Sequence, residues 1–175
     1  MKYLHSILAI FVVSTLFLLV SCGYKNPYVY TGPAKAMYIT SWKNRTSELQ
    51  LESDIYQSLL QWYQRSDSLT IVNDKSAADL ILAGEIISID LPSLAYGANN
   101  ITQQVKLTLH VRYILKDLDS GEILFQVPDQ LRTEEYIIAA DSSTTADNEE
   151  KALNIIIDEL SQDIYLKTLS TLSKL

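Results

Sequence analysis

Few side chains in this 175-residue sequence can do chemistry, and their spacing narrows them further. The chain holds two histidines, His5 and His110, and one cysteine, Cys22. His5 and Cys22 lie in or beside an N-terminal apolar segment, so a Ser/His/Asp arrangement in the body of the protein would have to use His110. It stands among Lys106, Arg112 and Lys116, with no acid at a spacing that would orient it. One histidine is not a metal site, and one cysteine excludes a disulfide framework or a cysteine-rich zinc site. Glu134-Glu135 are adjacent, and neighbouring strand residues point to opposite faces, so they cannot converge on one bond. Glu149-Glu150 fit a helix start, where acids complement the dipole. Five scattered glycines include neither G-x-G-x-x-G nor G-x-x-x-x-G-K. No catalytic constellation, resident metal or cofactor pocket is expected, and with them no enzyme.

One pattern with possible functional content is cationic. Lys106, His110, Arg112 and Lys116 are separated by even numbers, so on a strand all four share a face. The whole chain carries 14 Lys+Arg against 21 Asp+Glu, a formal charge of −7. In that setting the stripe concentrates positive charge on one patch, which suits phosphate or carboxylate groups. An ordinary solvent face of an antiparallel sheet carries the same residue types, and the pattern leaves both readings open. The overall acidity argues against a non-specific nucleic-acid binder. Eleven tyrosines against three phenylalanines suit surfaces half apolar and half wet.

The elements that must position these residues begin with an address. After Lys2, residues Ile7 to Val20 are apolar except for Ser14 and Thr15. Fourteen residues fall short of the roughly 20 that span a bilayer, so the segment reads as a signal-peptide core. It ends in Leu19-Val20-Ser21-Cys22, which is similar to a bacterial lipobox. Cys22 would take a diacylglyceryl group on its thiol and, after cleavage, a third acyl chain on its amine. Three chains exceed the two signals needed for stable anchoring. The alternative is a plain secretory signal with an incidental cysteine. Residues 1–21 are then the leader and 22–35 a lipidated tether rich in Pro, Gly and Tyr, with a single domain over 36–175. Gly23, in place of an Asp, leans toward the outer membrane by the enterobacterial sorting rule.

In that domain, Ala36 to Trp42 alternates as a short strand. Ser47-Glu48-Leu49-Gln50 reads as a capping box, opening a helix with a stripe of Leu51, Ile55, Leu59 and Trp62 as far as about Arg65. Leu69 to Val72 is a short strand. Leu80 to Leu91 is apolar on both alternations, as a central strand covered on both faces would be. Pro92 to Asn100 is an exposed loop. Ile101 to Leu118 alternates, Asp119-Ser120-Gly121 signals a hairpin turn, and Glu122 to Val127 returns, with Leu131 to Ile138 continuing past Pro128. Asp141 to Ala146 reads as a Ser/Thr loop and Asp147 to Glu150 as the cap of a last helix reaching about Leu169. Its stripe is Leu153, Ile156, Ile157, Leu160 and Ile164. With 47% apolar and 20% charged residues, disorder is excluded. The expected fold is an α/β two-layer sandwich, two helices packed on one face of a four- or five-stranded mixed sheet.

A leader with a lipobox followed by such a domain resembles the LPS-assembly lipoprotein family (LptE). The resemblance rests on Cys22-Gly23-Tyr24, on Asn44-Arg45-Thr46 after the first strand, and on Ala78-Asp79-Leu80-Ile81-Leu82-Ala83-Gly84-Glu85-Ile86 entering the central strand. Asp117 near Ser120-Gly121, Glu135-Tyr136, Glu149 and Ala152 add to it. It implies an outer-membrane lipoprotein on the periplasmic side that plugs the lumen of the LptD barrel and contacts lipopolysaccharide. The anionic lipid A and inner-core phosphates would then meet Lys106, His110, Arg112 and Lys116, and acyl chains would meet Leu94 and Tyr96. It implies no nucleic-acid partner and no cofactor beyond the lipid on Cys22. The alternative is an envelope lipoprotein that regulates a periplasmic cell-wall synthase or belongs to a secretion complex.

Overall fold

The structure, a computed structural model, describes residue 30, residues 32–90 and residues 103–175. The leader, Cys22, most of the tether and the Pro92–Asn100 loop with Leu94 and Tyr96 lie outside the described residues. The elements are β1 (Lys35–Ile39), β2 (Lys43–Asn44), α1 (Leu51–Tyr63), β3 (Leu69–Ile71), a 3-10 turn at Lys75–Ala77, β4 (Leu80–Asp90), β5 (Gln103–Asp117), β6 (Ile123–Ile138) and α2 (Ser142–Leu172). The strands form a mixed sheet in the order β3-β1-β4-β5-β6, with β2 also on β4. β1 pairs in parallel with β3 and β4, whereas β4, β5 and β6 run antiparallel to one another. Both helices cover one face, as the two amphipathic stripes require.

Strand alternation sets that face. Leu107, Leu109, Val111, Tyr113 and Leu115 of β5 are buried, the last four opposite Ile89, Ile86, Gly84 and Leu82 of β4. Ile55 and Leu59 of α1 and Ile156, Leu160 and Ile164 of α2 complete the core. Tyr63, rather than the expected Trp62, is the buried member at the end of α1; its hydroxyl hydrogen-bonds Thr168 of α2 at 2.7 Å. Trp62 lies at the edge, where its indole N–H donates to Asp158 at 2.7 Å and the Arg65 guanidinium lies 3.9 Å from its ring centre.

β4 is central, but among the described residues only its helix side is covered by another layer. Ile81 and Ala83 on the other side are half-buried, which corrects the expectation of two covered faces. Several positions of the Ala78–Ile86 segment hold the fold together. The Asp79 carboxylate accepts the Ala36 amide at 2.7 Å, joining β4 to the start of β1. Leu80 and Leu82 enter the core. Gly84 lies beneath the buried indole of Trp42, and a Cβ on Gly84 would occupy the same space as the ring. The ring stacks on Tyr113 at 6.1 Å and 22°. Its N–H has no partner among the described residues.

Both expected caps are displaced. Ser47–Gln50 does not cap α1. The helix begins at Leu51, after Gln50 in the left-handed region (φ 73°) and without a side-chain cap. The polar residues before it instead fold around Asn44. Its Oδ1 accepts from the amide and hydroxyl of Thr46, both at 2.8 Å, and its Nδ2 donates to Glu52 at 2.7 Å. At the other end, Asp141–Ala146 is not a loop. Asp141 is the N-cap, accepting the Thr144 amide at 2.7 Å, and Ser142–Ala146 form the first helical turns. The buried Thr145 hydroxyl accepts the Ala139 amide at 2.9 Å, so packing overrides the weak helix preference of Ser and Thr. Asp147–Glu150 therefore lie inside α2.

Two outcomes follow from these contacts. Gly84→Ala should destabilise the protein by about 2 kcal/mol in urea denaturation and shift Trp42 fluorescence, because the overpacked ring has to move. Asp141→Ala should lower Tm by a few degrees while Asp147→Ala leaves it nearly unchanged, since only the first carboxylate holds a free helical N–H.

Candidate functional site

The uncovered face of the sheet is built by β4, β5 and β6. Glu85 stands opposite Arg112, Ser88 opposite His110, and Ile81 opposite Lys116. Lys106 stands opposite Glu135, and His110 also opposite Leu131. Even spacing therefore brings Lys106, His110, Arg112 and Lys116 onto one face as expected, roughly 34 Å from end to end.

Their electrostatic state is less simple than the sequence suggests. Glu85 is nearly buried and lies between two guanidiniums: Arg45 Nε donates to Oε1, and Arg112 Nε donates to Oε2 at 2.6 Å. Burial acts to raise the Glu85 carboxyl, but the hydrogen bonds and charges of Arg112 and Arg45 outweigh it and hold the group below the usual 4.5. The Arg45 and Arg112 side chains stay half-exposed, at 51% and 50%, so each still presents cationic surface to solvent. Arg45 was absent from the expected stripe because it follows β2, and only strand pairing brings it across Glu85.

His110 has an acid partner that its sequence neighbourhood hides. Pro128 and Asp129 of β6 together oppose the single Arg112 of β5, a β-bulge that turns Asp129 toward the His110 Nε2. The Ser88 hydroxyl, opposite His110, makes no hydrogen bond to the ring among the described residues. Lys106 and Lys116 have no ion pair among the described residues. Among those residues, too, no group of three His, Cys, Asp or Glu is placed to hold a metal.

The face is also partly apolar. Leu131 is 58% exposed beside His110, and Ile123 and Ile137 are exposed on the same side. A shallow depression of about 270 Å³ is lined by Ala83, Glu85, Arg112, Ile114, Gln126 and Pro128. Cations beside apolar side chains suit an amphiphile with an anionic head better than they suit a water-soluble anion. No helix among the described residues is long and apolar enough to cross a membrane.

The model of the lipopolysaccharide-assembly family LptE matches residues 34–168, which spans β1 and most of α2. The chain belongs to that family. A comparison with curated proteins gives no match. Among solved structures, lipoprotein B of Nitrosomonas europaea is 16% identical, with 85% of this chain and 92% of that one covered and a TM-score of 0.52. A Xanthomonas campestris protein is 10% identical over 83% and 89%, with a TM-score of 0.56. A Caulobacter crescentus chain described as a lipoprotein is 14% identical over 75% and 88%, with a TM-score of 0.51. These likenesses show a shared fold. Against them, the segments that carry the family resemblance here are structural pins: Asn44 and Asp79 tie backbone, Gly84 admits Trp42, and Glu85 joins β2, β4 and β5.

Asp117 belongs with these pins. Its Oδ1 accepts the Ser120 amide at 2.9 Å, which with its other hydrogen bonds and the Lys35 ammonium keeps its carboxyl low. Gly121 then closes the hairpin at φ +75°.

Glu85→Gln should lower stability at neutral pH, since it leaves two guanidiniums without their counter-charge. A depressed carboxyl stabilises the fold above its unfolded value and loses that contribution as pH falls through its folded value. The gap between the two proteins in urea denaturation should therefore be widest near pH 7 and shrink below about pH 4.5.

Proposed function

We infer that this family member is moored to the outer membrane through lipid on Cys22. In our reading it assembles there with an LptD-like β-barrel, where it assists the passage of lipopolysaccharide to the outer leaflet. The family match carries this reading. The open face supports it: Arg45, Lys106, Arg112 and Lys116 meet the phosphates of an anionic amphiphile, and Leu131 and Ile123 lie beside them for its apolar part. Leu94 and Tyr96 are the proposed contacts for acyl chains or for the barrel wall. The function asks for no catalytic group from this chain, and His110 acts in it as one more polar contact of the stripe.

The first test is affinity purification of the full-length chain from its native membrane. A very large β-barrel should co-purify; recovery of a periplasmic synthase instead would favour the regulatory alternative. The second is lipopolysaccharide binding by Lys106→Glu/Lys116→Glu. Among the described residues these two lysines have no ion-pair partner to strand, so the fold should survive while affinity falls by about tenfold or more. Unchanged affinity would remove the stripe from the mechanism. A photo-crosslinker at Tyr96 should capture the barrel in cells.

A further inference from the structure

β6 closes one side of the sheet, and among the described residues no strand pairs with its outer edge. The backbone N–H and C=O groups along such an edge are a template for another strand. α2 runs antiparallel above it. Asn148 donates to the Ile137 carbonyl at 2.9 Å, Arg132 pairs with Asp163, and the Lys167 ammonium lies 5.3 Å from the Phe125 ring centre. Beside the C-terminal half of β6 this leaves a groove of about 220 Å³ lined by Glu134, Glu135, Ile137, Asn148, Lys151 and Ile155.

Three features say what fits there. First, Pro128 lacks an N–H and sits in the bulge, so the continuous edge is confined to Leu131–Ile138, about 27 Å of strand. Second, an added strand would find apolar side chains on its open-face side, where Leu131 is 58% exposed and Ile137 50%. Third, Glu134 lies on the helix side of this edge in the groove that also holds Lys151, and Glu149 and Glu150 adjoin that lysine on α2. That charge disfavours a second copy of the same edge and favours a basic partner. We propose that the Leu131–Ile138 edge accepts, by strand addition, an extended protein segment in which apolar residues alternate with Lys or Arg. The repeat of backbone donors and acceptors selects a peptide over a lipid. The proposal does not depend on phosphate contacts at the open face.

The probe is an acetylated, amidated heptapeptide alternating valine with lysine and threonine, added to the full chain in detergent. Hydrogen exchange should slow at amides within Leu131–Ile137, and the same peptide with glutamate in place of lysine should bind at least about tenfold more weakly. Thr133→Pro should abolish the protection. If that variant fails to fold, Glu134→Lys should weaken binding through the helix side of the groove. Lys116→Glu should leave peptide binding unchanged, which separates this edge from the proposed lipopolysaccharide contacts. Protection elsewhere, equal binding of the acidic peptide, or a concentration-dependent dimer that protects the same amides without peptide would each overturn the proposal.

Discussion

Two adjacent residues of β4 hold the sheet from both sides. On the helix side, Gly84 lacks a side chain so that the Trp42 indole can lie against the strand and stack on Tyr113. On the open side, the Glu85 carboxylate is clasped by Arg45 and Arg112. Trp42 and Arg45 flank the two residues of β2, so both contacts pull the same short segment onto β4. β2 has only two residues and two register pairs, too few to hold by backbone pairing alone. The indole and the ion pairs replace the missing ladder. Remove them, and β1 loses its continuation along the sheet while Tyr113 loses its stacking partner.

The layers were legible because periodicity reports burial directly. The alternation of Val105 to Leu115 fixes which residues of β5 point inward, and a slip of one residue would expose all of them. The stripes of α1 and α2 are read the same way. What was not legible depends on pairing between strands distant in sequence. Glu85 and Arg112 are 27 residues apart, and nothing local marks Glu85 as the partner of Arg45 as well. Asp129 reaches His110 only because a bulge places it there. The helix starts misled for another reason. Ser47–Gln50 and Asp147–Glu150 each carry a cap-like composition, yet the hydrogen bonds of Asn44 and the burial of Thr145 decide the boundaries. Tertiary contacts outrank local propensity at both sites.

Charge on the open face is arranged rather than merely accumulated. Two of the four expected stripe members, His110 and Arg112, spend part of their hydrogen-bonding capacity on acids. Such pairing fixes the orientation of the rings and forks, which a free lysine cannot do. Lys106 and Lys116, without an ion pair among the described residues, lie toward opposite ends of the row and the oriented guanidinium toward the middle. A ligand with clustered negative groups therefore meets a rigid centre and adaptable flanks, with Leu131 and Ile123 supplying apolar surface alongside.

The two borders of the sheet are unequal. β3, at one border, is three residues long, whereas β6, at the other, has sixteen. Two copies of this chain stack head to tail only by seating β6 against β3, and β3 offers three residues. Head-to-tail stacking into a fibre requires two competent borders per molecule. With one border of sixteen residues and one of three, the sheet does not offer that pair.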